Sequence, residues 1–410
     1  NGVYLDNTTN LSIDNSVISV AGSYGIYAPN ANNSSITNST IDGTYSEAAI
    51  KMESCLGCTV NNNTISNNPY RGVWMDYGFN TVITNNTIDA DYRGIRANDG
   101  SYYSLDGNTI RLHNTQDQSE EYGIFFSSSE YCTINNNNIT SSNYVKYARM
   151  IYNTSSNTQA IINNNHIDLG STSYDSTQCG FYTSSGNSYD AYNPRSIYVN
   201  DPAEIKSNTI YHYQYYSGRS IDIYQSDYNV DLVIENNYIE HFSQYEWSTD
   251  NGAINIATDN NFDASTLIKN NTIKVYNGAN VGIRAGDNTT ILDNIISFGE
   301  RGVYFCGLSQ YGGDYLRGID IDDSDHHIIK GNTITNFAKG IEMSNSTDNV
   351  VDSNSIHTLS LYITFNGSNY DWSNNNSGIY AVNSDSLFIT NNTITTGSGT
   401  LIYQTNGAST

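Results

Sequence analysis

An apolar residue followed five positions later by isoleucine, with a polar turn between them, recurs fourteen times along the chain, from Ile13 to Ile389. Typical copies read Val60-Asn-Asn-Asn-Thr-Ile65, Ile83-Thr-Asn-Asn-Thr-Ile88 and Ile389-Thr-Asn-Asn-Thr-Ile394, and uninterrupted copies start 22, 23 or 24 residues apart. A second piece precedes the first by about eleven residues: Gly or Ala, a β-branched residue, any residue, then an apolar one, as in Gly72-Val-Trp-Met75 and Gly94-Ile-Arg-Ala97. Both pieces alternate apolar and polar with period two, which predicts strands with one buried face, and no window carries a sustained helical stripe. A fixed period of this kind marks a solenoid. Each coil holds three short strands and three turns. Fourteen coils stacked about 4.8 Å apart would extend roughly 65 Å.

The fourth place of the turn unit is Asn in twelve copies and Ser (Ser16, Ser39) in the other two. A tight corner between strands needs a residue at positive φ, which Asn tolerates best among side chains with a Cβ. Asn side chains stacked on successive coils would also hydrogen-bond along the column and satisfy amides inside the corner.

These two repeated pieces resemble the right-handed parallel β-helix shared by pectate-lyase-like enzymes, phage tailspikes and NosD-type periplasmic proteins, over nearly all of the 410 residues. The resemblance implies an all-β, single-stranded solenoid of about fourteen coils, one domain over 1–410. Insertions are expected along one edge at about 111–122, 168–198, 211–219, 240–251 and 357–377, with a separate excursion at 305–317. They carry aromatics suited to sugar stacking or subunit contacts, among them Tyr211, Tyr213, Trp247 and Trp372. Function stays open, because this architecture hosts lyases, hydrolases, adhesins and structural proteins.

In enzymes of this fold the Gly-Ile strand lines a polysaccharide cleft, so its outward positions are where chemistry is expected. One cluster there is Lys51, Glu53, Trp74, Asp76 and Arg96 on three consecutive coils. Two carboxylates about 5 Å apart would suit acid and base work on a glycosidic bond, beside a stacking indole. The same spacing suits a cross-coil salt-bridge ladder. A second cluster, Gly318-Ile-Asp-Ile-Asp-Asp-Ser-Asp-His-His327, offers Asp320, Asp322 and Asp325 to Ca²⁺ or to a hydrolase. Polygalacturonases carry Asn-Thr-Asp, Asp-Asp, Gly-His-Gly and Arg-Ile-Lys segments, of which only an Asp-Asp is present, so their catalytic residues do not carry over. His212 and His241 fall at one place on neighbouring coils, a solvated column or, as NosD-type relatives imply, a metal pair.

Net charge is −24 with only 17 Lys plus Arg, which argues against nucleic acid and against insertion into or binding to an anionic membrane. Low charge, abundant Asn, Ser and Thr and 35 Tyr suit an exported, extracellular protein. Of five cysteines, Cys55 and Cys58 share a turn, while Cys132, Cys179 and Cys306 stand apart. Cys58 and Cys132 occupy equivalent places three coils apart, about 14 Å, beyond disulfide reach. An odd count leaves a thiol for an intermolecular bridge. The chain starts and stops within strand-like segments, which reads either as a processed chain with open ends that stack head to tail or as a fragment whose caps lie on flanking domains. The resulting expectation is a prokaryotic, archaeal-type cell-surface protein that polymerises with itself into a sheath, surface layer or fibre. Carbohydrate-active enzyme and glycan-binding adhesin are the alternatives.

Overall fold

The computed structural model describes residues 1–19, 21–43, 45–68, 70–113, 121–141, 148–153, 155, 159–170, 194–214, 218–225, 231–243, 252–258, 264–276, 281–299, 316–358, 362–365, 368–371, 376–397 and 399–405. Every regular element among them is a β-strand. Three parallel sheets account for nearly all of these: sheet A with fifteen strands and sheets B and C with fourteen each. Each coil visits A, B and C in turn, as a right-handed parallel β-helix requires. The chain divides into two compact units, Asn1–Ser173 with Pro194–Ile210, and Tyr174–Asn193 with Tyr211–Thr410. Unit 1 holds eight strands of sheet A, from Val3–Tyr4 to Arg195–Asn200. Unit 2 holds seven, from Arg219–Gln225 to Thr400–Thr405.

The repeated isoleucines build the interior. Ile88, Ile110, Ile139 and Ile167 stand in register on consecutive strands of sheet C, and all are fully buried. Each such side chain contributes about 1.5–3 kcal/mol by leaving water. Ile18 and Ile394, on the first and last strands of sheet C, are only half buried, because a neighbouring coil covers them from one side.

The corner divides between two adjacent residues the tasks that the sequence suggested for one. The third place of the unit takes the positive φ in all fourteen copies, as Asn in Asn62, Asn85 and Asn136 and as Gly in Gly107 and Gly331. The fourth place, the near-invariant Asn, is buried and builds the ladder. Asn108 Nδ2 donates to Ile83 O (2.8 Å) and Asn137 Oδ1 (3.0 Å), while its Oδ1 accepts from the backbone and side-chain nitrogens of Asn86 (3.1 and 3.0 Å). Both capacities of the amide are filled, so its burial costs little. In unit 1 the ladder runs from Ser16 to Asn208, and in unit 2 from Asn237 to Asn392.

The glycine that opens the sheet A piece is set by close approach. A Cβ on Gly94 would lie 2.3 Å from Cγ2 of Ile110 and 2.6 Å from the carbonyl oxygen of Gly123. Glycine therefore faces the interior together with the β-branched residue after it, and strict alternation fails at this point. The residue before the glycine is turned outward. A cation holds that place before Gly at Arg71, Arg93, Arg317 and Lys339, and the equivalent place before Ser at Arg195 and Arg219 and before Met at Arg149.

Several expected insertions are partly regular strand. Residues 211–214 continue strand Thr209–Gln214, and 240–243 continue strand Tyr238–Ser243, both in sheet C. Within 357–377, Tyr362–Phe365 and Ser368–Asp371 pair antiparallel as a hairpin. Cys55 and Cys58 form a disulfide, and Cys132 is a buried free thiol whose pKa burial pushes up to about 12. Cys179, Cys306, Trp247 and Trp372 lie outside the described residues.

Candidate functional site: the outer face of sheet A

In unit 1 one outward column of sheet A runs in register through Tyr4, Tyr27, Lys51, Trp74, Arg96, Phe125, Tyr152 and Tyr198. Every member of this eight-coil run is aromatic or cationic. Trp74 sits at its centre with Lys51 Nζ 4.0 Å, Arg71 Cζ 4.3 Å and Arg96 Cζ 4.7 Å from its ring centroid. Stacked cations would repel one another, and the aromatic quadrupoles between them offset that repulsion. The indole that sequence offered as a bare stacking platform is instead packed against three cations.

Two residues further along the strand, Glu53 and Asp76 stand in register on consecutive coils. Lys51 Nζ lies 3.3 Å from Glu53 and 3.9 Å from Asp76, so it bridges the pair. Trp74 Nε1 donates to Asp76 Oδ1 at 2.6 Å, and the Tyr27 hydroxyl donates to Glu53 at 3.0 Å. Burial, reinforced by Glu53, pushes the Tyr27 phenol up to about 12. The five expected residues do come together. Lys51 joins Glu53 and Asp76 by ion pairs across two coils, Trp74 adds its hydrogen bond to Asp76, Arg96 stacks on the Trp74 ring, and the two neighbouring carboxylates face outward.

The outward cations at this place obey a second rule. In unit 1, Arg71 lies over Trp74, Arg149 over Tyr152 (4.3 Å) and Arg195 over Tyr198 (4.1 Å), each meeting the aromatic three residues on. In unit 2 the partner three residues on is a carboxylate: Arg219 to Asp222 (2.8 Å), Arg317 to Asp320 (3.1 Å) and Lys339 to Glu342 (2.9 Å). Sequence reasoning missed this column, because alternation assigns the residue before glycine to the interior. A recurrent triplet of a cation, Gly or Ser, then Ile or Val was the available signal, with Arg149-Met150-Ile151 as the exception.

In unit 2 Asp320 and Glu342 stand in register and are buried, with Arg317 contacting both and Arg284 3.9 Å from Asp320. Burial raises the Asp320 pKa, with Glu342 and Asp322 adding to it against the pull of Arg317 and Arg284. Asp322 faces Arg284 at 3.6 Å, and Asp325 Oδ1 accepts from the Thr347 backbone at 2.5 Å. The acidic run is thus spread over a corner and turned toward guanidinium and amide groups. Among the described residues no three His, Cys, Asp or Glu side chains come together to hold a metal.

His212 and His241 are interior, which corrects the surface column. Their rings stack 4.8 Å apart, both are fully buried, and His241 Nδ1 lies 2.9 Å from Ser220 Oγ. They sit two residues after a closing isoleucine, so the period-two pattern carries them inward once the strand is seen to continue. Desolvation holds His212 well below its usual pKa and His241 at about 3. Tyr213 and Phe242 are likewise buried, and Tyr213 donates its hydroxyl to buried Glu240. Tyr211 is half exposed, edge-on to Tyr238 at 6.1 Å.

The family described as "Right handed beta helix region" matches residues 1–167 and 315–410. The chain belongs to this right-handed β-helix family. Among solved structures this β-helix is similar to the mannuronan C-5 epimerase AlgE4 A-module of Azotobacter vinelandii: 10% identity, 94% of this chain and 91% of that one, TM-score 0.39. A DFA-IIIase from Arthrobacter chlorophenolicus A6 matches at 13% identity and TM-score 0.39, over 66% of this chain and 56% of its own. The chain therefore spans a little over half the length of that protein. A Pseudomonas phage phi297 tailspike matches at 14% identity and TM-score 0.33, over 82% of this chain and 48% of its own. Comparison with curated proteins found no match. The expectation of a sheath or surface-layer polymer is corrected here. The matching structures are named as carbohydrate-acting enzymes and tailspikes, and no finding supports end-to-end assembly.

Proposed function

We propose that this β-helix is a carbohydrate-active protein that holds a glycan along the outer face of sheet A in unit 1. The single supporting observation is the eight-coil column of aromatic and cationic side chains centred on Trp74. A sugar ring presents C–H faces to aromatic groups and hydroxyls to charged ones, and this column offers both, with Lys51 and Arg96 on either side of Trp74 and aromatic residues on the coils beyond them. Glu53 and Asp76, joined through Lys51, are the pair placed to act as acid and base on a glycosidic bond, with Arg96 on the following coil.

Glycan-array binding together with reducing-sugar and unsaturated-uronate assays tests the reading. Trp74→Ala should weaken glycan binding at least tenfold, as loss of a central aromatic anchor does. Glu53→Gln should retain binding and abolish turnover of any glycan that is cleaved. Failure of the wild-type protein to bind a glycan of any class would end this proposal.

A further inference from the structure

Sheet B carries an apolar stripe on the outside of unit 2. The residue just before the buried or half-buried isoleucine or valine of each strand points outward, and in unit 2 it reads Val233, Leu267, Thr290, Ile328, Val350 and Phe388. These six stand in register on consecutive coils. Ile328 is 44% and Phe388 63% exposed, and the other four are half buried. The fold does not demand apolar groups here. In unit 1 the same place is Ser or Thr in five of eight coils, among them Ser12, Ser35 and Thr59 in register. Single exposed apolar residues are ordinary, whereas an unbroken row keeps water against a surface that a partner would cover.

Charges flank the stripe on both sides, and their order discriminates between ways of covering it. Two residues after the stripe stand the charged groups Glu235, Lys269, Lys330 and Asp352, and two residues before it the carboxylates Asp231 and Asp348. A second copy can lay its own stripe on this one about a two-fold axis in two ways. With coil axes parallel, each coil meets its own counterpart and one flank faces the other. Asp352 then meets Asp348, and Glu235 meets Asp231, both repulsive. With coil axes antiparallel, the coil order reverses and each flank faces itself. Every flanking carboxylate then faces a lysine or a hydroxyl: Asp352 faces Lys269, while Glu235, Asp231 and Asp348 face Thr390, Ser386 and Ser265. Lys330, paired with Asp352 at 3.0 Å in its own chain, lays its apolar stem on Leu292. Along the stripe Val233 meets Phe388, Leu267 meets Val350, and Thr290 meets Ile328 beside the axis.

From this self-complementary order we propose that the outer face of sheet B in unit 2 binds a second copy of this chain, coil axes antiparallel. The two-fold axis passes between strands Thr289–Leu292 and Ile328–Lys330. Such a contact closes on itself and builds no fibre. Six coils span about 24 Å, which places the contact at the small end of specific interfaces and makes the pair reversible. It uses none of the side chains of the sheet A face and stands independently of the glycan reading.

Sedimentation velocity of the whole chain over a range of concentrations tests it. The wild type should form a dimer with a dissociation constant in the micromolar range. Ile328→Lys places a charge beside the axis in both copies and should weaken the dimer about tenfold or more. Val82→Lys, at the same outward place in unit 1, should leave association unchanged. Thermal melts of both variants check that the fold is intact. In a mixture of isotopically light and heavy chains, a zero-length carbodiimide cross-link should join Lys269 of one copy to Asp352 of the other. Within one chain these residues lie three coils apart, about 14 Å, beyond the reach of that reagent. A monomer at every concentration up to the solubility limit, a dimer untouched by Ile328→Lys, or a dimer without the mixed Lys269–Asp352 cross-link overturns the proposal. Monomers that bind phospholipid vesicles, and lose that binding in Ile328→Lys, would give the stripe to a lipid surface and overturn it as well.

Discussion

At the scale of single residues, the fourth-place asparagines show why a polar residue can be more constrained than its apolar neighbours. Asn108 fills two donor and two acceptor roles inside the corner, including the backbone N–H of Asn86 on the preceding coil. Asn108→Ala removes the acceptor for that buried N–H and the donor for Ile83 O. Each orphaned group costs about 1–3 kcal/mol, so the expected loss is about 2–5 kcal/mol. Asn136, exposed at the third place with φ 54°, supplies the left-handed backbone and one solvent-exposed hydrogen bond, from its Nδ2 to Asp106 Oδ1 at 2.7 Å. Asn136→Gly should change stability by less than about 1 kcal/mol. Chemical denaturation of the two variants checks the contrast, and equal losses would show that the two places are not functionally divided. The asparagine column was legible in the sequence. Which of two adjacent asparagines took the left-handed backbone was missed, although glycine at the third place in Gly107 and Gly331, and never at the fourth, was the available signal.

At the scale of the strand, period two predicted the isoleucine faces and the outward positions after glycine, and it failed in two places with physical causes. Gly94 presses against Ile110, so two consecutive residues face inward and the preceding arginine turns out. Strand Thr209–Gln214 runs on past its closing isoleucine, so His212, expected at the surface, occupies the interior place that Leu112 and Leu169 fill in unit 1. That second failure carries a pH dependence. Burial among apolar groups depresses both imidazoles, with His241 at about 3 and His212 further lowered by its neighbour. The unfolded chain binds protons at a histidine pKa of about 6.5, whereas the folded chain does not, so stability is full above that pH and declines as pH falls toward 3. The slope is about 1.4 kcal/mol per pH unit for each histidine. Melting temperature measured from pH 7 to pH 4 should therefore fall steadily below about 6.5. Replacing both with leucine should flatten this part of the profile, and an unchanged profile would mean that the pair does not govern acid stability.

At the scale of the whole molecule, charge is sparse and unevenly sorted. Net charge is −24 with 17 Lys plus Arg, and the outer face of sheet A draws a disproportionate share of those cations. Lys51, Arg71, Arg93, Arg96, Arg149 and Arg195 lie on it in unit 1, and Arg219, Arg284, Arg317 and Lys339 in unit 2. The remaining surface is left with a large excess of carboxylates. Two opposing salt effects follow. Screening weakens exposed ion pairs such as Lys330 with Asp352 and Arg111 with Asp89, each of which contributes at most about 1 kcal/mol. Screening also relieves the mutual repulsion of the excess anions, a long-range term summed over the whole surface. With so few exposed pairs and so large an imbalance, relief of repulsion should dominate. Raising sodium chloride from about 0.01 M to 0.15 M, which shortens the Debye length from about 30 Å to about 8 Å, should raise the melting temperature. A fall over that range would show that the ladders on sheet A outweigh the field of the rest of the chain.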